Sequence, residues 1–370
     1  MLGRLRDRSG RGERFKQGWT WAAGYGKMRV TSIKVWVLTL HRLSFQEFKK
    51  SKADYDRAVM QTSGIDIFCS SSAWVISAKT AFSKSRETLI YRSDAGYVVL
   101  SRKISRNNKI SLLPLEASWC LACPLVGPDL SLLYSQFGAC LRSGQLAWDR
   151  LFLAGMVERS WAWQNAVAAF EPHFRLFQGP VTVRLLADLS EGEDGFLARR
   201  SAKFRENIRR ICRKADQGGF GYEFVADRLP AAREKVLFRR MMTIEARSWK
   251  GLAGEGVNRG AMRHFYRQIL AHLSPAGGVR LLFLQVDGRD IGYIFGGVLN
   301  GVYRGFQFSF DEDFAHFSAG NLMQIEMIRR LCAEGVRWYD LGTDIPYKRN
   351  WGEQRLETTG IFVTNKQPEC

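Results

Sequence analysis

The clearest hydrophobic pattern lies in the last third of the chain. Residues 279–286, 291–299 and 302–310 are apolar-rich runs separated by Asp287-Gly288 and Asn300-Gly301. Asp-Gly and Asn-Gly suit two-residue turns with both central residues at positive φ, so the spacing predicts an antiparallel meander with two tight hairpins. Before it, apolar positions recur at helical spacing over 229–249 and again to about Leu273, with Asn258 placed to cap the second helix. After it, Leu322, Ile325, Ile328 and Leu331 form one stripe of a helix over 319–334, which Gly335 stops. Residues 336–341 then read as a strand reached by crossover and parallel to the last strand of the meander. Gly296-Gly297, inside a strand, predicts a bulge.

The first half is less regular. Ile33, Val35, Val37 and Thr39 alternate along a strand over 30–40, and 44–60 reads as helix with Phe45, Phe48 and Tyr55 on one side. Runs 88–92 and 96–102 flank Ser93-Asp94-Ala95 as a hairpin, and 109–114 is a strand closing on Pro114, which cannot donate to a ladder. Apolar residues three and four apart over 129–170 predict helices with at least one short strand, and 180–187 is a further strand. The helix that follows, 199–214, carries Arg199, Arg200, Lys203, Arg205, Arg209, Arg210, Arg213 and Lys214. Gly218-Gly219 ends it, ahead of a strand over 222–226. No long-period repeat is visible, and the domain boundary is expected near 190–220.

Length and charge sharpen this picture. A chain of 370 residues exceeds the size of one hydrophobic core, so two domains are expected. With 46% hydrophobic residues it is a globular sequence, not a disordered one. The formal charge of +19 points to an anionic partner. Residues 1–28, Gly-rich with seven basic residues, read as a disordered basic lead, and Met28 reads as an alternative start. No run of eighteen apolar residues exists: 117–141 is broken by Pro124, Pro128 and Asp129, although a basic surface can still touch a membrane. Seven scattered cysteines include a single C-x-x-C, Cys120 and Cys123, which reads as two buried thiols in a cytoplasmic protein. The five histidines show no H-x-x-x-H or H-E-x-x-H, and no metal site is expected. Walker A, G-x-S-x-G and G-x-G-x-x-G patterns are missing after strands.

Candidate chemistry gathers after the meander. Residues 311–320 join a strand end to a helix start, where Ser318 can cap and Gly320 lets backbone approach a ligand. Free N–H groups and the dipole at such a start suit a pyrophosphate. Asp311 and Asp340 stand at strand ends; Glu245 and Asp344 are further carboxylates. Glu245 has the competing reading of an ion pair with Arg247 or Lys250. Trp249 and Trp351 read as core or cleft wall. The basic helix lacks interleaved aromatics beyond Phe204, which argues against a single-strand stacking platform.

The succession Glu245-Ala246-Arg247-Ser248-Trp249-Lys250-Gly251, Phe310-Asp311-Glu312, Ser318-Ala319-Gly320, Asp340-Leu341-Gly342 and Tyr347-Lys348-Arg349-Asn350-Trp351 resembles the GNAT-like acyltransferase domain of the CelD / BioF2-like group. That group is related to the FemAB-type aminoacyl transferases, which carry two GNAT folds in tandem. The resemblance covers about residues 200–365, with Ala319 in place of the usual Pro. It implies an α+β (α/β mixed sheet) fold of two tandem GNAT-like domains, mixed sheets flanked by helices, at 29–190 and 191–370. It implies acyl transfer from acyl-CoA, acetyl-CoA above all, to an amine of a small or sugar-linked, anionic acceptor, with polysaccharide biosynthesis as a setting. The cofactor would lie on Ser318, Ala319, Gly320, Asn321 and Leu322, beside Phe308. Asp340, Lys348, Tyr347, Asp311 and Glu245 would carry the chemistry, and Trp249, Lys250, Trp351, Arg205 and Arg209 would meet the acceptor. The alternatives are a FemAB-like aminoacyl transferase using aminoacyl-tRNA and a non-catalytic anion- or nucleic-acid-binding protein.

Overall fold

A computed structural model describes residues 40–366. The lead of residues 1–28 and most of the strand expected over 30–40 lie outside them. The first half runs β1 (His41–Leu43), α1 (Phe45–Lys50), α2 (Lys52–Gln61), α3 (Ile67–Ser70), α4 (Ser72–Phe82), β2 (Glu87–Ser93), β3 (Gly96–Ile104), β4 (Ile110–Pro114), β5 (Leu125–Val126), α5 (Leu130–Arg142), β6 (Arg150–Met156), α6 (Trp161–Phe170), β7 (Phe174–Gln178) and β8 (Thr182–Asp188). The second runs α7 (Gly192–Ala198), α8 (Ala202–Gln217), β9 (Gly221–Val225), α9 (Ala231–Arg247), α10 (Trp249–Leu252), α11 (Gly260–Leu273), β10 (Val279–Val286), β11 (Arg289–Leu299), β12 (Val302–Phe310), α12 (Ala319–Ala333), β13 (Trp338–Thr343) and β14 (Gln354–Asn365).

The strands form one mixed sheet in the order β1-β2-β3-β4-β6-β14-β8-β13-β12-β11-β10-β9, with β5 on β3 and β7 on β14. Both halves follow one plan. In each, a strand and helices lead into an antiparallel meander, β2-β3-β4 or β10-β11-β12. A crossover helix, α5 or α12, then delivers a strand parallel to the last of the meander, β6 on β4 and β13 on β12. A repeat that the sequence hides is therefore plain in the topology. Strands are exchanged at the centre: β8 pairs with β13, and β14 pairs first with β8 and then with β6.

The hairpins form as the sequence predicts: Asp287, Gly288, Asn300 and Gly301 all take φ between +50° and +73°. The register breaks between Phe295 and Gly296, where Phe306 of β12 is the extra residue. The bulge expected at Gly296-Gly297 thus has its inserted residue on the facing strand. Two capping expectations fail. Asn258 does not cap α11, which begins after Arg259 without a side-chain cap, and Ser318 sits at φ 60°, ψ 40° before α12 without a cap hydrogen bond.

Two cores flank the sheet. One joins α9, α11 and the first half through Met241, Phe265, Phe283, Phe295 and Trp74. The other packs α12 and α8 on the opposite face of the second half through Leu322, Ile325, Ile208 and Tyr303. The apolar stripe foreseen on α12 is buried here.

Candidate functional site

The strands β12 and β13 pair only over Val302–Trp338, Tyr303–Tyr339 and Arg304–Asp340. Beyond that rung they part, β12 staying with β11 and β13 with β8. The gap opens a cleft of about 710 Å³, within the size range of small-molecule sites. On one side of the sheet its wall includes Ser318, Gly320 and Asn321 at the start of α12. On the other it reaches Trp74, Trp119 and Phe265.

The point of parting is fixed by a buried ion cluster. Asp340 Oδ2 accepts from Arg184 and Arg304, each at 2.5 Å, and its Oδ1 accepts the Gly342 N–H at 2.8 Å. Arg184 also stands 2.8 Å from Asp66 as an ion pair, without hydrogen-bond alignment. Asp66 caps α3 by accepting the Cys69 N–H at 2.9 Å, and burial holds its carboxyl above the usual carboxylate range. The cluster draws one residue each from α3's cap, β8, β12 and β13, so it ties the halves together where the cleft begins.

Lys348 stands over this cluster in a short 3-10 turn (Pro346–Asn350) after β13. Its Nζ donates to the Thr343 carbonyl at 3.4 Å. Desolvation, with a contribution from Arg304, pulls its ammonium down to about 8, while Asp340 opposes the shift. Tyr347 beside it is pushed up to about 12 by burial. Both line the cleft.

Lys250 enters from the far edge. Its Nζ donates to the Phe308 carbonyl of β12 at 2.7 Å, and burial lowers its pKa against the pull of Glu245. Glu245 is fully buried. It accepts from Tyr293 Oη at 2.8 Å, Gln307 Nε2 at 3.1 Å and the Val257 N–H at 3.1 Å. The ion pair with Arg247 or Lys250 is thus replaced by neutral donors on β11, β12 and the loop after α10, which ends the segment carrying Trp249 and Lys250. A second buried carboxylate does the same in the first half. Glu116 accepts the N–H groups of Trp119 and Leu121 at 2.6 and 2.9 Å, and burial raises its pKa.

The structure brings Ser318, Gly320, Asn321, Phe308, Trp249, Lys250, Tyr347, Lys348 and Trp351 to one cleft. Ala319 and Leu322 instead face the core, fully buried. Asp340 has both oxygens engaged. Asp311 lies off the cleft, paired with Arg289 at 2.5 Å and Arg247 at 2.9 Å; Asp344 pairs with Arg349 at 2.8 Å. The space beside Gly320 is taken by the Phe308 and Phe310 rings, 3.2 and 3.3 Å from where a Cβ would stand. Arg205 and Arg209 line a separate recess with Asp194 and Arg329, between α7, α8 and α12. Trp351 packs on Phe204 and Phe196, a wall residue with its back to the core. Sequence reasoning missed Arg304, Gln307 and the aromatic wall from Trp74, Trp119 and Phe265. No local pattern marks these, because their partners are remote in the chain.

Residues 202–349 match the family profile described as an acetyltransferase (GNAT) domain. The fold is a tandem GNAT-like one, since the first half repeats the same order of strands and helix. The match supports acyl transfer as the activity class. No curated protein matches the chain. Among solved structures, FemX is similar at 12% identity over 86% of this chain and 96% of that one, with a TM-score of 0.58. A conserved protein of unknown function from Bacteroides thetaiotaomicron is similar at 11% identity over 89% of this chain and all of that one, with a TM-score of 0.56. Among the described residues no group of His, Cys, Asp and Glu could hold a metal ion, and no helix is long and apolar enough to cross a membrane.

Proposed function

We propose that the chain transfers an acyl group from an acyl-CoA thioester to an amine, with the thioester held between β12 and β13. The observation that carries this reading is Lys348: a cleft lysine with its pKa drawn down to about 8 beside parted parallel strands. The pantetheine arm would lie along the free edge of residues 305–310, with the pyrophosphate near the first turn of α12.

The acceptor enters as a free amine and attacks the thioester carbon, forming the C–N bond and an oxyanion. The ammonium of Lys348 stabilises that charge, and as the C–S bond breaks it gives its proton to the departing sulfur. A donor near 8 is acidic enough to protonate a departing alkyl thiolate, which suits transfer in the transition state. The expected carboxylate bases are tied up, so the proton lost by the new ammonium goes to water at the mouth, and solvent recharges Lys348. Tyr347 acts as wall and hydrogen-bond donor to the acyl oxygen.

A transfer of aminoacyl groups from aminoacyl-tRNA is the second reading, favoured by the exposed basic face of α8. Thermal unfolding separates the two. An acyl-CoA is expected to raise the melting temperature, while uncharged tRNA is expected to leave it unchanged. A shift with tRNA that disappears in high salt, and none with any acyl-CoA, would reverse the assignment.

A further inference from the structure

Resting on the acyl-CoA reading, we infer that the chamber on the α4 and α11 side of the cleft receives an apolar acyl chain, so that the donor is a medium- or long-chain acyl-CoA and not acetyl-CoA. The bulge at Phe306 begins the case. It turns the Phe306 ring toward the core shared with the first half, where it meets Phe68 and Trp74 at ring-centre distances of 5.4 and 5.8 Å. Trp119 and Phe265 close the wall, 5.1 Å apart, and Leu121 and Met262 complete it.

Charge is segregated along the cleft. Arg304 and Lys348 stand on the side of the parted strands, Lys250 turns its Nζ to the Phe308 carbonyl of β12, and the chamber residues just named are all uncharged. A charged or sugar-like acceptor placed there would lose its hydration without a partner. A hydrocarbon chain would gain from the same surroundings. The chamber is continuous with the gap between β12 and β13, so a chain on the thioester carbonyl can enter it without leaving the site.

The wall is also held in place from both sides. Loop 117–122 is fastened by Glu116, and the backbone at Val257, after α10, by Glu245, both buried carboxylates. Burying such a group is unfavourable unless its oxygens are hydrogen-bonded. Here each organises a loop that faces the cleft.

The test measures binding of acetyl-, hexanoyl- and decanoyl-CoA to the full chain by titration calorimetry. The comparison variant is Met262→Trp, whose side chain is only half-buried and would fill the chamber. Affinity is expected to rise roughly two- to fourfold per added methylene, and Met262→Trp should abolish the rise. Equal affinity for all three esters would overturn the chamber and leave acyl-CoA transfer standing. Should no CoA ester bind, decanoate is titrated against tryptophan fluorescence. Saturable quenching lost in Met262→Trp would keep the apolar-chain site and remove the CoA donor; no quenching would remove both.

Discussion

Gly155 on β6 and Gly342 on β13 hold comparable places in the two halves. Each lies past the parallel pairing, at a break in register with the next antiparallel strand, and each has positive φ, +69° and +82°. Their surroundings differ. A Cβ on Gly155 would stand 2.1 Å from the Leu121 carbonyl oxygen, whereas one on Gly342 would stand 3.4 Å from Lys348 Nζ. In the first half the chain's own loop presses against the crossover strand; in the second a lysine leaves the gap open. The two halves are thus similar frames, of which one opens a cleft where the other is closed by its own loop.

Gly155→Ala should therefore be severe and Gly342→Ala mild in stability. At Gly155 the methyl meets backbone, which cannot yield without moving the loop of Trp119, and the positive φ adds strain. A loss of about 3 kcal/mol or more is expected by urea unfolding. At Gly342 the methyl meets the mobile end of a lysine, so about 1 kcal/mol of backbone strain is expected. Equal losses would mean that the loop at Leu121 does not press on β6.

Lys348→Met should stabilise the fold while removing activity. Burial depresses the folded pKa to about 8, so below that value the folded state carries an ammonium that water would solvate better. Between about 8 and the ordinary lysine range the unfolded chain binds the extra proton, and wild-type stability rises with pH. The advantage of Lys348→Met is then largest at pH 7, of the order of 1–3 kcal/mol, and fades towards pH 10. Turnover should fall about 10²-fold or more, in line with loss of a transition-state donor. The wild-type rate should decline above pH 8, and the residual rate of the variant should lack that limb.

Asp340→Asn and Arg304→Met should each destabilise by about 3–5 kcal/mol, because each leaves a buried opposite charge short of its partner. Asp340 is shared by two guanidiniums, so its loss is the larger. If Asp340 were instead a general base, Asp340→Asn would abolish turnover with the melting temperature unchanged. Combined measurement of melting and of acyl-CoA binding separates the outcomes.

How much of this was legible is clear from particular residues. The meander, its two hairpins, α12 and the parallel return of β13 follow from local pattern, because turn chemistry at Asp287-Gly288 and Asn300-Gly301 and the stripe on α12 are local facts. The long strand β14 was not foreseen: at Thr358, Thr359 and Gly360 it changes partner from β8 to β6, and no alternation marks such a strand. Lys348 and Tyr347 were visible by their motif, but the depressed pKa depends on Arg304 and on burial. Asp340 and Glu245 looked like bases since a sequence shows a carboxylate and not the donors around it. Arg184 and Trp119 reach their partners Asp340 and Phe265 across 156 and 146 residues, and Asp66 lies further still from Asp340, separations that no periodicity records.

Glu116 supplies a further check on the wall it supports. Its two oxygens accept two backbone N–H groups, at Trp119 and Leu121. In Glu116→Gln one of those acceptors becomes an amide N–H₂ facing a donor, so one backbone N–H loses its partner inside the protein. A loss of about 1–3 kcal/mol is expected by urea unfolding. The loop should loosen with it, which brief proteolysis would show as cleavage within 117–122 that wild type resists. Discrimination between decanoyl- and acetyl-CoA should narrow together with that cleavage, since Trp119 would no longer be held against Phe265. Glu116→Gln with wild-type chain-length preference and a cleaved loop would show that the loop does not shape the chamber.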